Sequence, residues 1–167
     1  MTDERQGEGL WAALERLPRG GGVIFRHRSA PASERRALFE RVRRISRRRG
    51  LVLVLAGTAR EAVAWRADGV HGRSARRGAR PLVRTAPAHD ARELIAAGRD
   101  ADLILLSPVF PTRSHPAAPT LGRVRFAALA YAAARPVIAL GGMTARRARG
   151  LRGSYGWAAI DAWSGLC

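Results

Sequence analysis

The residues of this chain best placed to do chemistry sit just beyond short apolar runs. ADLILLSPVFPTRSHPAAPTLG and, about fifteen residues later, RPVIALGGMT each read as a buried strand delivering a polar loop. The second loop opens with Gly141 and Gly142, which leave backbone N–H groups unobstructed by a side chain and so suit close approach of a phosphate. The first supplies the Thr112 hydroxyl and His115. His89, opening a helix after PLVRTA, and His71, ending ADGVH, carry the other imidazoles at strand ends. His89 and His115 are the candidates for acid–base work, because histidine titrates near neutral pH. Arg26, His71, His89, Thr112, His115, Gly141 and Gly142 are all expected to converge on the carboxyl rim of one parallel sheet.

The elements that must position them alternate in a βαβ rhythm. The pattern predicts helices at 10–17, 33–50 and 58–66 and strands at 21–27, 51–57 and 67–72, followed by an Arg-rich loop, RSARRGAR, at 73–80. Ser33 is the expected N-cap of the long helix and Gly50 its stop, with Leu38, Val42 and Ile45 as its buried stripe. Then come PLVRTA (strand), HDARELIAAG (helix), ADLILLSPVF (strand), GRVRFAALAYAAAR (helix), RPVIALGG (strand), TARRARGLRG (short helix) and YGWAAIDAW (strand). About seven strands with intervening helices suit a (β/α)8 barrel lacking one strand or an open doubly wound sheet.

Composition narrows the function classes. The chain has 167 residues, 47% of them hydrophobic, enough for one core, so a single domain over 1–167 is expected. Thirty basic residues, every one arginine, face 13 acidic ones, a net charge of +17. Arginine throughout, with abundant Ala and Gly, matches GC-rich coding. Where the runs fall on the outer face of an amphipathic helix, as at 33–50, a solvated surface is the expected reading, while the 73–80 run follows a strand and suits phosphate. Nucleic acid is expected to bind only weakly, through charge, without sequence preference and with strong salt dependence. The lone cysteine, Cys167, offers neither a disulfide nor a cysteine metal site. The opening MTDERQGEG has no apolar signal-like core and no run is long enough to cross a membrane. A cytoplasmic protein with no membrane partner is expected, and a homo-oligomer is compatible with it.

ADGVH, SPVFPT, Leu121-Gly122 and IALGG, in that order and spacing, resemble the thiamine-phosphate synthase/TenI family from Gly20 onward. The resemblance implies a TIM-type barrel with its first strand absent or truncated, since relatives begin with a strand ending Thr-Asp and this chain starts Met1-Thr2-Asp3. An upstream apolar segment, a partner chain or the N-terminal residues themselves are expected to complete that edge. It also implies a transferase of thiamine biosynthesis that joins hydroxymethylpyrimidine pyrophosphate to thiazole phosphate and releases pyrophosphate. By resemblance, Ile24-Phe25-Arg26-His27-Arg28 takes the place of the family's pyrophosphate-contacting segment, with Arg26 and Arg28 as its cations, and Gly141-Gly142 hold the thiazole phosphate.

The family's Mg2+ is held by aspartates, and here the implied positions read Ala56-Gly57-Thr58 and His71 to Arg76, with no carboxylate. No metal ligand is therefore expected, and Arg73, Arg76 or Arg77 could meet a phosphate instead. Ile160-Asp161 puts a carboxylate where relatives rest a phosphate. Two other readings stay open: a diverged TenI-type paralogue that binds a phosphorylated thiazole-like ligand without synthase turnover, and an Arg-rich nucleic-acid-binding module.

Overall fold

The computed structural model describes residues 1–73, 81–114 and 116–164. The chain forms two compact units, one built on Met1–His71 with the segment from Ile160, the other on Val83–Ala159. In the first unit a 3-10 turn, Glu4–Gln6, leads to α1 (Gly9–Arg16), β1 (Gly22–Phe25), α2 (Ala32–Arg49), β2 (Val52–Ala56), α3 (Ala59–Ala64) and β3 (Gly69–His71). The strands pair in parallel, Gly22 beside Val52 and Val54 beside Gly69. In the second unit β4 (Val83–Ala88), α4 (Ala91–Gly98), β5 (Leu103–Leu106), α5 (Gly122–Ala132), β6 (Val137–Ala139), α6 (Ala145–Ala148) and β7 (Gly156–Trp157) follow, again with parallel neighbours. The final helix, α7 (Asp161–Ser164), packs on α1 in the first unit.

Short, continuously apolar strands form because both faces are covered. Val23, Phe25, Leu53, Leu55 and Val70 are almost fully buried in the first unit, and Ile104, Leu106, Phe126, Val137 and Ala139 in the second. Each unit starts its strands with the same lock. Asp68 accepts from the Leu53 amide at 2.8 Å and returns its own N–H to the Leu53 carbonyl at 2.8 Å. Asp102 does the same to Arg84, both bonds 2.8 Å, and also takes the Arg84 guanidinium at 2.9 Å. The Ala-Asp pair before each strand thus sets register as well as a turn.

Three expectations are corrected. The long helix starts at Ala32 after Pro31, so Ser33 lies inside its first turn and caps nothing; Gly50 does end it, in the left-handed region. Its buried stripe is Phe39, Val42 and Ser46, with Leu38 and Ile45 only half-buried. Phe39 decides the rotation because its ring packs edge-on against Phe25, 5.4 Å between centroids, and meets Trp65 at 5.0 Å. The last apolar run is a strand only at Gly156–Trp157, and Asp161 opens a helix.

The edge of β1 is covered from within the unit: the Thr2 amide donates to the Ile24 carbonyl at 2.8 Å, and the Arg26 amide to Thr2 Oγ1 at 3.0 Å. The arginine runs on α2 are largely engaged. Glu40 holds Arg36 and Arg43, Glu15 holds Arg48, and Arg41 stacks on Trp11 at 3.6 Å. The aromatics that the helix lacks on its arginine face come from neighbouring elements.

Replacing Asp102 with alanine leaves the buried Arg84 guanidinium unpaired. Because Asp102 itself is partly exposed, the expected loss is at the low end for a broken buried pair, about 2 kcal/mol in urea unfolding; Asp100→Ala, outside the lock, should move the midpoint little.

Candidate functional site

In the first unit the carboxyl ends of β1 and β3 gather two arginines and two histidines. Arg26, His27 and Arg28 follow β1 and His71 ends β3. His27 sits at φ 26°, a left-handed conformation unusual for a side-chain-bearing residue, and stacks on Phe25 with centroids 4.9 Å apart. Its Nδ1 lies 3.0 Å from Thr2 Oγ1. That hydroxyl also accepts the Arg26 amide, so one threonine ties the ring to the backbone after β1. The turned backbone separates Arg26, half-buried, from Arg28, exposed.

Burial, then the Arg28 and Arg26 guanidiniums, lower the pKa of His71 to about 4. Burial likewise lowers that of His27. Both rings are therefore neutral at pH 7, and His71 would meet a phosphate as a single N–H donor rather than as a cation.

The end of β2 is closed. Thr58 N and Oγ1 donate to Glu61 Oε2 at 2.8 and 2.9 Å, and Arg35 Nη2 donates to the Ala56 carbonyl at 2.9 Å. Those backbone and hydroxyl bonds hold the Glu61 carboxyl below its usual range. Other carboxylates are also committed: Asp3 to Arg5, Glu4 to the Ser29 amide, Asp90 to the Glu93 amide. Among the described residues no group of three His, Cys, Asp or Glu could hold a metal ion. A divalent ion at the end of β2 would meet the Arg35 guanidinium and a carboxylate already used as a helix cap, so these residues do not fit the Mg2+ of relatives.

In the second unit the rim is formed by the turns after β4, β5 and β6. His89 follows β4, and its Nδ1 lies 2.7 Å from Glu93 Oε2, which also accepts the His89 amide at 3.0 Å. Arg73 takes the other oxygen of Glu93 at 2.7 Å. A carboxylate oxygen can only accept, so Nδ1–H donates to Glu93 and fixes the ring on α4. The His89 bond is the main reason the Glu93 carboxyl stays below its usual range. The four-residue spacing on a helix start was the signal that could have found Glu93.

The turns after β5 and β6 are sewn together: Val109 N donates to Leu140 O at 2.9 Å and Phe110 N to Gly141 O at 3.1 Å. Gly141 has φ 92°, and a Cβ there would lie 2.7 Å from Pro108 Cα; Gly142 has φ 60°, and its Cβ would lie 3.0 Å from Phe110 Cβ. Glycine is thus demanded first by the chain's own packing. Thr112 follows on the β5 side, its hydroxyl 3.4 Å from the Ser114 amide.

Each described candidate lies at the carboxyl end of a parallel strand, Arg26, Arg28 and His71 in the first unit and His89, Thr112, Gly141 and Gly142 in the second. His115, Arg76 and Arg77 lie outside the described residues.

Parallel strands alternating with helices, with polar turns at the strands' carboxyl ends, define an α/β protein. The chain belongs to the thiamine monophosphate synthase (TMP-TENI) family, whose model matches residues 1–162. It is 32% identical over 143 residues to a thiamine-phosphate synthase of Chloroflexus aurantiacus, covering 79% of this chain and 66% of that protein, so it spans just under two thirds of the relative's length. The structure is similar to that of thiamine phosphate pyrophosphorylase from Pyrococcus furiosus, with a TM-score of 0.80 and 27% identity over 98% of this chain and 85% of the other. The thiamine phosphate pyrophosphorylase of Bacteroides thetaiotaomicron shares the fold, with a TM-score of 0.63 and 15% identity over 96% and 81%.

Two outcomes follow from the geometry. Since the folded pKa of His71 is depressed, the unfolded chain binds more protons between pH 4 and 6.5, so the stabilising contribution is present above that window and lost as pH falls through it. The difference amounts to about 3 kcal/mol; urea midpoints at pH 7 and pH 4.5 should lie closer together in His71→Gln than in the parent. Gly142→Ala should cost about 2 kcal/mol through its left-handed backbone and the clash of the new Cβ with the Pro111 carbonyl oxygen and Phe110 Cβ, a loss measurable without any ligand.

Proposed function

We propose that this protein is a thiamine-phosphate synthase-type transferase, joining hydroxymethylpyrimidine pyrophosphate to thiazole phosphate with release of pyrophosphate. The observation that carries the reading is the Gly-Gly turn, whose two positive-φ glycines are fixed against Pro108 and Phe110. It supports a phosphate seat for the thiazole partner on backbone amides. Arg26 and Arg28 supply the cationic end for a pyrophosphate leaving group.

The chemistry breaks the bond between the pyrimidine methylene carbon and the pyrophosphate oxygen, and the electron pair leaves with pyrophosphate. The thiazole nitrogen lone pair forms the new C–N bond, and no proton need move. Stabilising the departing charge is then the main task, and guanidinium donors suit it. The committed carboxylates give no support to a metal-assisted step. A TIM-type (β/α)8 barrel truncated in its first strand, with Thr2 bonded beside β1, belongs to the same proposal.

A second reading is favoured by the pair His89 and Glu93. A carboxylate-held imidazole with Nε2 free is the equipment of proton transfer, which suits a TenI-type paralogue acting on a phosphorylated thiazole rather than coupling it. Binding of nucleic acid is proposed only as a salt-sensitive consequence of charge.

Calorimetry with thiazole phosphate and with hydroxymethylpyrimidine pyrophosphate, each with and without Mg2+, separates these readings, followed by detection of thiamine phosphate. The proposal expects both ligands to bind, with little change on adding Mg2+, and product to form. Thiazole phosphate binding without product would favour the paralogue, and binding of neither would end both. Under the second reading, His89→Gln should abolish thiazole proton exchange while leaving thiazole phosphate affinity within about threefold.

A further inference from the structure

Helix α5 is apolar on two faces, and only one of them meets the core. Phe126, Leu129, Ala130 and Ala133 pack inward among the buried residues of the second unit. Val124, Ala128 and Tyr131, at the i, i+4, i+7 spacing of a single stripe, point the other way, with Val124 86% exposed and Tyr131 71%. The outer stripe of an amphipathic surface helix is ordinarily charged, as it is on α2.

The stripe ends at a cleft. Ala130, Ala133, Ala134, Pro136 and Gly153 line a depression of roughly 440 Å³ at the amino end of β6, beside Tyr155, whose side is 73% exposed. Small residues keep it open: Gly153 has φ 76°, and a Cβ there would lie 3.1 Å from Ala130 Cβ and 3.6 Å from Tyr131 Cδ2. The Tyr155 amide donates to the Val137 carbonyl at 2.9 Å, which fixes the backbone that carries the second ring. Gly141 and Gly142 follow the carboxyl end of β6, so this surface belongs to the opposite end of the strand and takes no part in the reaction proposed above.

Between Leu103 and Ile160 the sequence contains eight arginines, all exposed, and not one Asp or Glu. Arg125 follows Val124 on α5, Arg152 precedes Gly153, and Arg135 lines the cleft with its Nε donating to the Gly98 carbonyl at 3.3 Å. Among the described residues none of these three pairs with a carboxylate. An apolar stripe with a cationic border and no opposite charge in its own segment is the surface that a complementary partner covers.

We infer that the outward face of α5 and the cleft beside Tyr155 form a docking surface for an acidic segment of a partner protein, which seats an aliphatic or aromatic side chain in the cleft. Tyrosine and arginine supply much of the binding energy at protein interfaces, and a groove floored by Ala and Gly accepts the apolar anchors of a helix. A second copy of the chain fits poorly, because a self-complementary contact would bring the arginine border against itself. Nucleic acid fits poorly too, since Val124 and Ala128 offer a base nothing to stack on.

The test pans the immobilised full chain against a random library of displayed peptides about 16 residues long, enough for four helical turns. The variant Tyr131→Ser with Tyr155→Ser serves as the counter-target. The most enriched peptide is then titrated at physiological salt, by fluorescence anisotropy, into the parent, the tyrosine pair, Arg135→Gln with Arg152→Gln, and Val63→Ser on α3 as the control. Enriched peptides should be acidic with a Leu, Phe or Trp anchor. Affinity should fall about tenfold in the tyrosine pair, about threefold in the arginine pair and less than about twofold in Val63→Ser. Every substituted side chain is exposed, so the urea midpoints of the variants should match the parent's.

Failure to enrich any peptide on the parent over the counter-target overturns the inference, as does enrichment of peptides without acidic charge. A peptide that binds the parent and the tyrosine pair alike is held by net charge alone, which overturns it as well. Sedimentation of the parent and the tyrosine pair over a range of concentrations covers the second-copy case: a dimer that the substitutions abolish assigns the face to self-association instead. An oligothymidylate that binds more tightly than the peptide, and loses that affinity in the tyrosine pair, assigns it to nucleic acid and overturns the protein partner.

Discussion

The approach of Gly141 to Pro108 governs the second unit. With room for no side chain between them, the turn after β6 can lie flat against the turn after β5, and the amide-to-carbonyl bonds from Val109 and Phe110 follow from that closeness. Phe110 is thereby held beside the Gly-Gly turn, where it gathers Arg123 and Arg147. One steric constraint sets the position of the backbone amides, the ring and the cations. A substitution that fills the turn therefore disturbs all three.

In the first unit the governing balance is electrostatic. Arg26, Arg28 and Arg35 surround two buried imidazoles, and that crowding is tolerable because both rings stay neutral. Arg35 is accommodated by spreading its guanidinium over Trp65, at 4.9 Å, and by bonding the Ala56 carbonyl. The same guanidinium, with the Glu61 carboxylate bonded to Thr58, occupies the end of β2. A guanidinium fixed by packing needs no dehydration of a metal to act, but it cannot bridge two phosphates as an ion does.

The sequence by itself determined the α/β alternation, since apolar runs too short for helices and bounded by Gly and Pro can be buried only as strands. It also determined which residues stand at strand ends, because position along the chain is enough to place His71, His89 and Gly141 there once the strands are known. The family followed from motif order. What it could not fix were faces and partners. Phe39 rather than Leu38 lines the core of α2, because the choice depends on Phe25 and Trp65, which lie far away in the chain. Glu93 as the holder of His89 was legible in its spacing, whereas the Arg123–Phe110–Arg147 cluster was not. Three elements bring those side chains to one place, and only tertiary packing sets the distances at which charge, ring and carbonyl act on each other.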